Sequence, residues 1–140
     1  MKKLLLLSLV ALLLTGCSDK NNYTAAVLAE LERDQKTEGA KDYKIPQEKM
    51  ADCIVDASAK NMAGVFAFDP ARLTAYRNYT KMLTLTQSAD PKKTLDELRE
   101  EFGSAKKLME ARSNYTESEL ECLTLFVANT NSEETAKAEK

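Results

Sequence analysis

The stretch on which the predicted fold depends is residues 116–128, TESELECLTLFVA. Thr116 followed by Glu119 matches a capping box, which predicts that a helix begins at Thr116. The residues that follow are apolar on nearly every side of this helix, at Leu120, Cys122, Leu123, Leu125, Phe126 and Val127. A helix that is apolar all round is typical of the middle of a bundle. We therefore expect this last helix to be the central one.

Three further helices are predicted ahead of it, at about 46–63, 69–87 and 90–112. Pro46 suits a first helical turn, and Asp69-Pro70 and Asp90-Pro91 each combine an N-cap residue with proline at the first helical position. Thr94 with Glu97 offers an alternative start for the third helix. No segment shows the alternation of a strand. The predicted fold class is all-α, a small bundle of about four main helices.

We make two further predictions for the segments in which one predicted helix approaches or is joined to another. Gly103 lies inside the apolar stripe of the third helix, where we expect it to mark a close helix crossing. Val65, Phe66 and Phe68 form an apolar connector between the first two helices. Because large apolar groups are usually buried, we expect these three side chains to enter the core.

The first seventeen residues read as a secretory leader. Lys2 and Lys3 precede an apolar run, Leu4–Leu14, which is too short for a helix of ~20 residues that crosses a bilayer. The leader ends in Leu14-Thr15-Gly16-Cys17, which resembles the lipobox of bacterial lipoproteins. The resemblance implies that residues 1–16 are removed and that Cys17 receives a diacylglycerol and an N-linked acyl chain. The alternative is an ordinary signal peptide in which the cysteine is incidental.

The lipoprotein resemblance also implies a location. Three acyl chains hold a protein firmly, because each buried methylene adds ~0.8 kcal/mol. In the sorting rule of this family, aspartate directly after the cysteine retains the protein in the inner membrane. Ser18 stands at that position, so we expect the inner leaflet of the outer membrane, facing the periplasm.

With Cys17 lipidated, Cys53 and Cys122 remain. An exported compartment favours oxidation, so an even pair of cysteines is most simply a disulfide. Such a bond would join the first helix of the bundle to the last one. The alternative is a pair of buried free thiols.

The domain organisation follows from these elements. Residues 17–45 are predicted to be a lipidated N-terminus and tether, with a short amphipathic helix at Thr24–Arg33. We expect this helix to be a partly ordered spacer, and the alternative is that it docks on the domain. The helical domain is expected at 46–128. Residues 129–140 are polar and charged, which predicts a disordered tail.

Composition argues against several function classes. The chain carries a net charge of −2, and two of its 20 basic residues, Lys2 and Lys3, lie in the leader, so the mature protein is more acidic still. Nucleic-acid partners favour clustered Lys and Arg, which the chain lacks. It has no histidine, and it shows no metal-binding, phosphate-binding or catalytic motif. We expect no metal, no cofactor, no small-molecule substrate and no enzymatic activity.

What remains is a binding or scaffolding role. Methionine and tyrosine side chains line adaptable grooves for partner helices, although such stripes are more often simply core. The candidates are Met50, Met62, Tyr76, Tyr79, Met82 and Met109. In its leader, size, helicity and disulfide, the chain resembles the helical pilotins, lipoproteins in which a groove captures a short amphipathic helix of a secretin subunit. The alternative is a periplasmic stress chaperone of the small helical, disulfide-containing type.

Overall fold

The computed structural model describes residues 18–34 and 45–138, with side chains up to residue 129. Within these ranges the chain is helical apart from turns, and no strand is present. The helices are α1 (18–34), α2 (Gln47–Ala59), α3 (Pro70–Leu83), a short 3-10 helix (Leu85–Gln87), α4 (Pro91–Glu101) and α5 (Ala105–Ala138). The all-α prediction is confirmed, with five α-helices in the described ranges where about four were expected. Residues 1–16 and the lipidation candidate Cys17 lie outside these ranges.

The long helix α5 packs chiefly against α2, and the two run antiparallel. Cys53 in α2 and Cys122 in α5 form the predicted disulfide, with their Cα atoms 6.0 Å apart. The two cysteines are 69 residues apart in the sequence. Closing a loop of that length restricts the unfolded chain, which stabilises the fold by roughly 4 kcal/mol.

Helix α1 is part of the core, so the short helix predicted at Thr24–Arg33 is confirmed as part of a longer one, and residues 18–34 are not a spacer. Tyr23 and Val27 are fully buried. The ring of Tyr23 contacts those of Tyr76 and Tyr79 in α3, with centroids 5.8 and 5.6 Å away, and its hydroxyl lies 2.9 Å from the Ser58 hydroxyl. Tyr23 lies four residues before Val27, on the helix face that also carries Leu31, but polar residues precede it and the predicted helix began after it, at Thr24.

The boundary between α4 and α5 differs from the prediction of one helix through Gly103. Gly103 has φ +88°, a left-handed conformation that only glycine adopts without strain. Helix α4 therefore ends at Glu101, with Gly103 in the position typical of a helix C-terminus. The Ser104 hydroxyl then accepts a hydrogen bond of 3.1 Å from the Lys107 N–H, which caps the start of α5.

Helix α5 continues through the region where a new helix was expected at Thr116. It is unbroken from Ala105 to Ala138, so the Thr116–Glu119 capping box does not form a helix start. Asn114 stays helical because its side chain bonds to other helices rather than to its own backbone. The backbone also remains helical over most of the stretch predicted as a disordered tail, 129–140, which is rich in the helix formers Ala, Glu and Lys.

Two groups of apolar residues are exposed where burial was expected. In the connector between α2 and α3, Val65, Phe66 and Phe68 are 91%, 62% and 52% exposed, so they do not enter the core. In α5, Leu120 and Leu125 are also exposed. Helix α5 is longer than the helices beside it, and between residues 120 and 129 it buries Cys122 but exposes Leu120 and Leu125, so it is not central all round.

Replacement of Tyr23 by alanine tests whether α1 belongs to the core. We expect Tyr23→Ala to lower the free energy of unfolding by about 3–5 kcal/mol, because it removes a buried aromatic ring. Asn22→Ala, at the exposed neighbouring position, should change it by less than about 0.5 kcal/mol. Chemical denaturation followed by circular dichroism measures both values. Equal, small effects of the two substitutions would contradict the packing of α1.

Candidate binding groove

An open groove of about 1120 Å³ lies between α3 and the first half of α5. One wall is formed by α3, with Pro70, Ala71, Thr74, Ala75 and Asn78. The opposite wall is formed by α5, with Lys106, Lys107, Glu110, Ser113 and Glu117. The buried residues that line it, and so form its floor, are Met62, Tyr79, Ala111 and Asn114.

The groove exists because α3 presents small side chains towards it. Ala71, Thr74, Ala75 and Asn78 have the spacing i, i+3, i+4, i+7, which places all four on one face of the helix. Short side chains on this face cannot fill the space in front of α5. Helix α5 is instead held by its contacts with α2 and α4, so the space beside α3 stays open.

The floor of the groove is fixed by hydrogen bonds of Asn114. Its amide group donates to the Ser58 carbonyl at 3.0 Å and to the Tyr79 hydroxyl at 2.9 Å. Its carbonyl oxygen accepts from the Asn61 amide at 2.9 Å. Both N–H donors of the Asn114 side chain are thus used by the protein itself. Asn114 is a structural group, because it has no donor left for a ligand.

The Tyr79 hydroxyl is equally unsuited to acid–base chemistry. Burial raises the pKa of Tyr79, and the hydrogen bond from Asn114 offsets only part of this rise. The hydroxyl therefore stays protonated at neutral pH. The floor offers apolar and neutral polar contacts rather than a reactive group.

Charges on the α5 wall are separated along its length. Lys106 and Lys107 lie near the turn between α4 and α5, whereas Glu117 lies three turns further on. Between them, the Glu110 carboxylate is 3.7 Å from the Lys106 ammonium, an exposed pair that adds little stability. A partner segment with acidic residues at one end and basic residues at the other would match this arrangement in one direction only.

Of the six groove candidates from the sequence, three line the groove. Met62 and Tyr79 belong to its floor, and Met109 is 71% exposed at its edge. Met50, Tyr76 and Met82 are buried in the core away from it. Met82 and Met109 also line a smaller cavity of about 270 Å³ with Leu83, Leu95, Leu98 and Leu108.

The sequence analysis missed the residues that shape the groove. The signal was present in the small residues of α3 at helical spacing, Ala71, Thr74 and Ala75, but small side chains were not considered as a binding face. Asn114 lies in an Asn-Tyr-Thr triplet that also occurs at Asn22 and Asn78. Its burial depends on which residues α2 and α3 place opposite it, and no local pattern reports this.

The exposed connector, which we call the apolar loop (residues 65–68), begins where the groove ends at Ala63 and Pro70. Its backbone is held firmly. The Asp69 carboxylate accepts from the N–H groups of Val65 at 3.0 Å and Ala71 at 2.9 Å, and these bonds lower the pKa of Asp69. The Arg72 guanidinium donates to the carbonyl oxygens of Ala59 and Gly64.

Gly64 fixes the entry to this loop. It has φ +91°, and a Cβ atom at this position would lie 2.6 Å from the backbone nitrogen of Arg72. A side chain would therefore clash with backbone as well as strain it. The apolar side chains of the loop are thus displayed by a defined turn.

A partly buried acidic group lies where α1 crosses α5. Burial raises the pKa of Glu119, and the nearby carboxylates of Asp34 and Glu30 raise it further, while Arg112 lowers it. Burial also raises the pKa of neighbouring Tyr115, whose hydroxyl has no hydrogen-bond partner. In the described ranges, no three His, Cys, Asp or Glu side chains are placed to hold a metal ion.

Glu119→Gln tests the raised pKa of Glu119. Since the folded state binds this proton more tightly than the unfolded state, ionisation of Glu119 destabilises the fold above its folded pKa. We expect Glu119→Gln to raise Tm at pH 7, and this gain to vanish as the pH falls below the usual glutamate pKa of about 4.3. The control Glu117→Gln changes an exposed side chain two residues away and should leave Tm at pH 7 nearly unchanged. A lower Tm of Glu119→Gln at pH 7 would contradict the assignment.

None of the described helices is both long and apolar enough to cross a membrane. No known protein family, curated protein or solved structure matches this chain. The groove and the apolar loop are therefore interpreted from their own geometry.

Proposed function

We propose that the mature protein is a non-catalytic lipoprotein of the cell envelope, and that its groove captures an amphipathic helix of a partner protein. The anchor in this proposal is the lipid on Cys17 of the Leu14–Cys17 lipobox. Ser18 directly after it favours the inner leaflet of the outer membrane, with the domain facing the periplasm. The resemblance to pilotins supports the same role.

The shape of the groove is the observation that carries this proposal. Two turns of helix, ~10 Å wide and ~11 Å long, occupy roughly 900 Å³. The groove, at about 1120 Å³, has room for such a segment. Small-molecule pockets instead enclose most of the ligand surface and direct several polar groups at it. Here the walls are open along their length, and the Asn114 amide and the Tyr79 hydroxyl are bonded to each other.

The lining of the groove suits the apolar face of a helix. Small residues on α3 allow close approach of another helix, and Met62, Phe102 and Met109 supply adaptable apolar contacts. The separated charges of Lys107 and Glu117 on the α5 wall would set the direction of the bound helix.

A stress chaperone for unfolded proteins is the second candidate. The exposed Leu120 and Leu125 of α5 favour it, because they offer apolar contacts outside the groove. A chaperone would bind many unrelated chains at low pH or on heating, whereas a pilotin-like protein binds one client under ordinary growth.

Photo-crosslinking in the bacterial host tests the groove. A photoreactive residue at Thr74, on the α3 wall, should give one discrete adduct, and the same residue at Thr124, on the exposed outer side of α5, should give none. Ser113→Trp fills the groove and should weaken binding of the captured client helix at least about tenfold, equivalent to about 1.4 kcal/mol. Thr124→Trp is the matched control.

The client should also lose its normal membrane location in cells that carry Ser113→Trp. Many adducts at both sites, seen only under acid or heat, would favour the chaperone instead. An adduct that is unaffected by Ser113→Trp would contradict capture in the groove.

Metabolic labelling with a palmitate analogue tests the anchor. The intact chain should take up the label and fractionate with membranes, and Cys17→Ala should take up no label. Cys53 and Cys122 serve as an internal control, since their thiols are occupied by the disulfide. An unlabelled chain in the cytosolic fraction would contradict the lipoprotein assignment.

A further inference from the structure

The position of α1 determines how closely a lipid anchor would hold the domain. The chain is helical from Ser18 onward, the Asp19 carboxylate accepts from Arg77 in α3 at 2.5 Å, and Tyr23 is fully buried. The residue that would carry the lipid is therefore joined directly to the packed domain, at a Cα–Cα distance of about 3.8 Å. An anchor at Cys17 leaves no spacer between bilayer and fold.

The apolar loop lies beyond Ser18 in the direction of the N-terminal ends of α1 and α3. These two helices run parallel, because Asp19 at the start of α1 bonds to Arg77 in the middle of α3, and Arg33 bonds to Thr86 just beyond the end of α3. From Arg77 back to Pro70, the first residue of α3, the helix spans seven residues, or about 10 Å of rise. The apolar loop directly precedes Pro70 in the chain.

The charges at this end are compensated. Asp19 is paired with Arg77, and Asp56 accepts from Lys20 at 2.9 Å. Asp69 is occupied by the two backbone N–H groups that it caps. These three carboxylates therefore do not stand as isolated negative charges beside an anionic leaflet.

We propose that Val65, Phe66 and Phe68 insert into the leaflet that holds the lipid of Cys17. This inference rests on the lipid anchor of the proposed function. The bilayer is the occupant because the anchor brings it to the end of the domain where these side chains are exposed. Apolar and aromatic side chains of membrane-bound proteins bury themselves ~5–10 Å into the boundary between headgroups and acyl chains.

Insertion at two points would orient the domain on the membrane. One end of the groove, at Ala63 and Pro70, would lie against the bilayer, and the other end, at Lys106 and Lys107, would face the periplasm. A captured helix would then be held at the membrane surface itself. A lipid chain alone would leave the domain free to rotate about its attachment.

A single tryptophan reports on this insertion, because the chain has none of its own. Phe66→Trp places the probe in the apolar loop. Gln87→Trp is the matched control, an exposed position in the 3-10 helix that follows α3, at the opposite end of α3 from the apolar loop. Both lipidated full-length variants are reconstituted into vesicles of phosphatidylethanolamine and phosphatidylglycerol, with and without shallow-brominated phosphatidylcholine.

We expect the emission of Phe66→Trp to shift to shorter wavelength on the vesicles and to lose most of its intensity with the brominated lipid. The emission of Gln87→Trp should be unchanged by either lipid. Equal quenching of both variants, or none, overturns the proposal. A blue shift of Phe66→Trp that appears in detergent only as the protein concentration rises overturns it as well, because it marks a second copy of the chain on the loop.

Palmitate labelling of the same variants separates this inference from the one on which it rests. If the chains take up palmitate and Phe66→Trp is not quenched, the loop does not insert and the lipid anchor still stands. If the chains take up none, both the anchor and the insertion are wrong.

Discussion

The attachment of α5 to α2 is the constraint on which the rest of the structure depends. The two helices are joined at two positions along their length. One is the disulfide between Cys53 and Cys122, and the other is the hydrogen bond from Asn114 to the Ser58 carbonyl. The two attachment points are eight residues apart on α5, about 12 Å of helix rise. Two separated contacts fix both the position and the direction of a helix, whereas one contact would leave it free to pivot.

The same contacts tie the remaining helices to this pair. The Ser58 hydroxyl lies beside the Tyr23 hydroxyl of α1, and the amide of Asn114 also reaches Tyr79 of α3. Four helices therefore meet in one buried hydrogen-bonded cluster. Buried polar groups are costly unless they are paired, so this cluster favours one arrangement of the helices over other apolar packings.

The groove is a consequence of this arrangement. Because α2 and α4 hold α5, the small residues Ala71, Thr74 and Ala75 of α3 face open space rather than a helix. Gly64 and Asp69 shape the turn that displays the apolar loop at one end of this space. A rigid groove and a rigid apolar loop on the same frame would make a receptor with a set orientation, if the bilayer holds that loop.

The sequence by itself determined the features that depend on near neighbours in the chain. The all-helical class and the starts of α3 and α4 at Asp69-Pro70 and Asp90-Pro91 follow from apolar periodicity and from N-cap and proline chemistry. The Cys53–Cys122 pairing followed from the count of cysteines. The pair Gly103-Ser104 is also a local signal for the end of one helix and the start of the next. It was not predicted as such, because the apolar stripe continues across it.

Only the tertiary structure decided which faces meet. Phe66 is exposed although its apolar side chain was expected in the core, and Tyr23 is buried although the predicted helix began after it, because burial depends on what another helix places opposite a residue. Local sequence predicted a new helix from Thr116, but α5 runs through Asn114 without a break. The Asn114 side chain bonds to α2 and α3, and so it does not compete for the backbone of α5. The groove arises because the side chains of α3 that face α5 are too small to fill the space between the two helices. The width of that space depends on how both helices are placed, and the sequence of neither helix alone determines it.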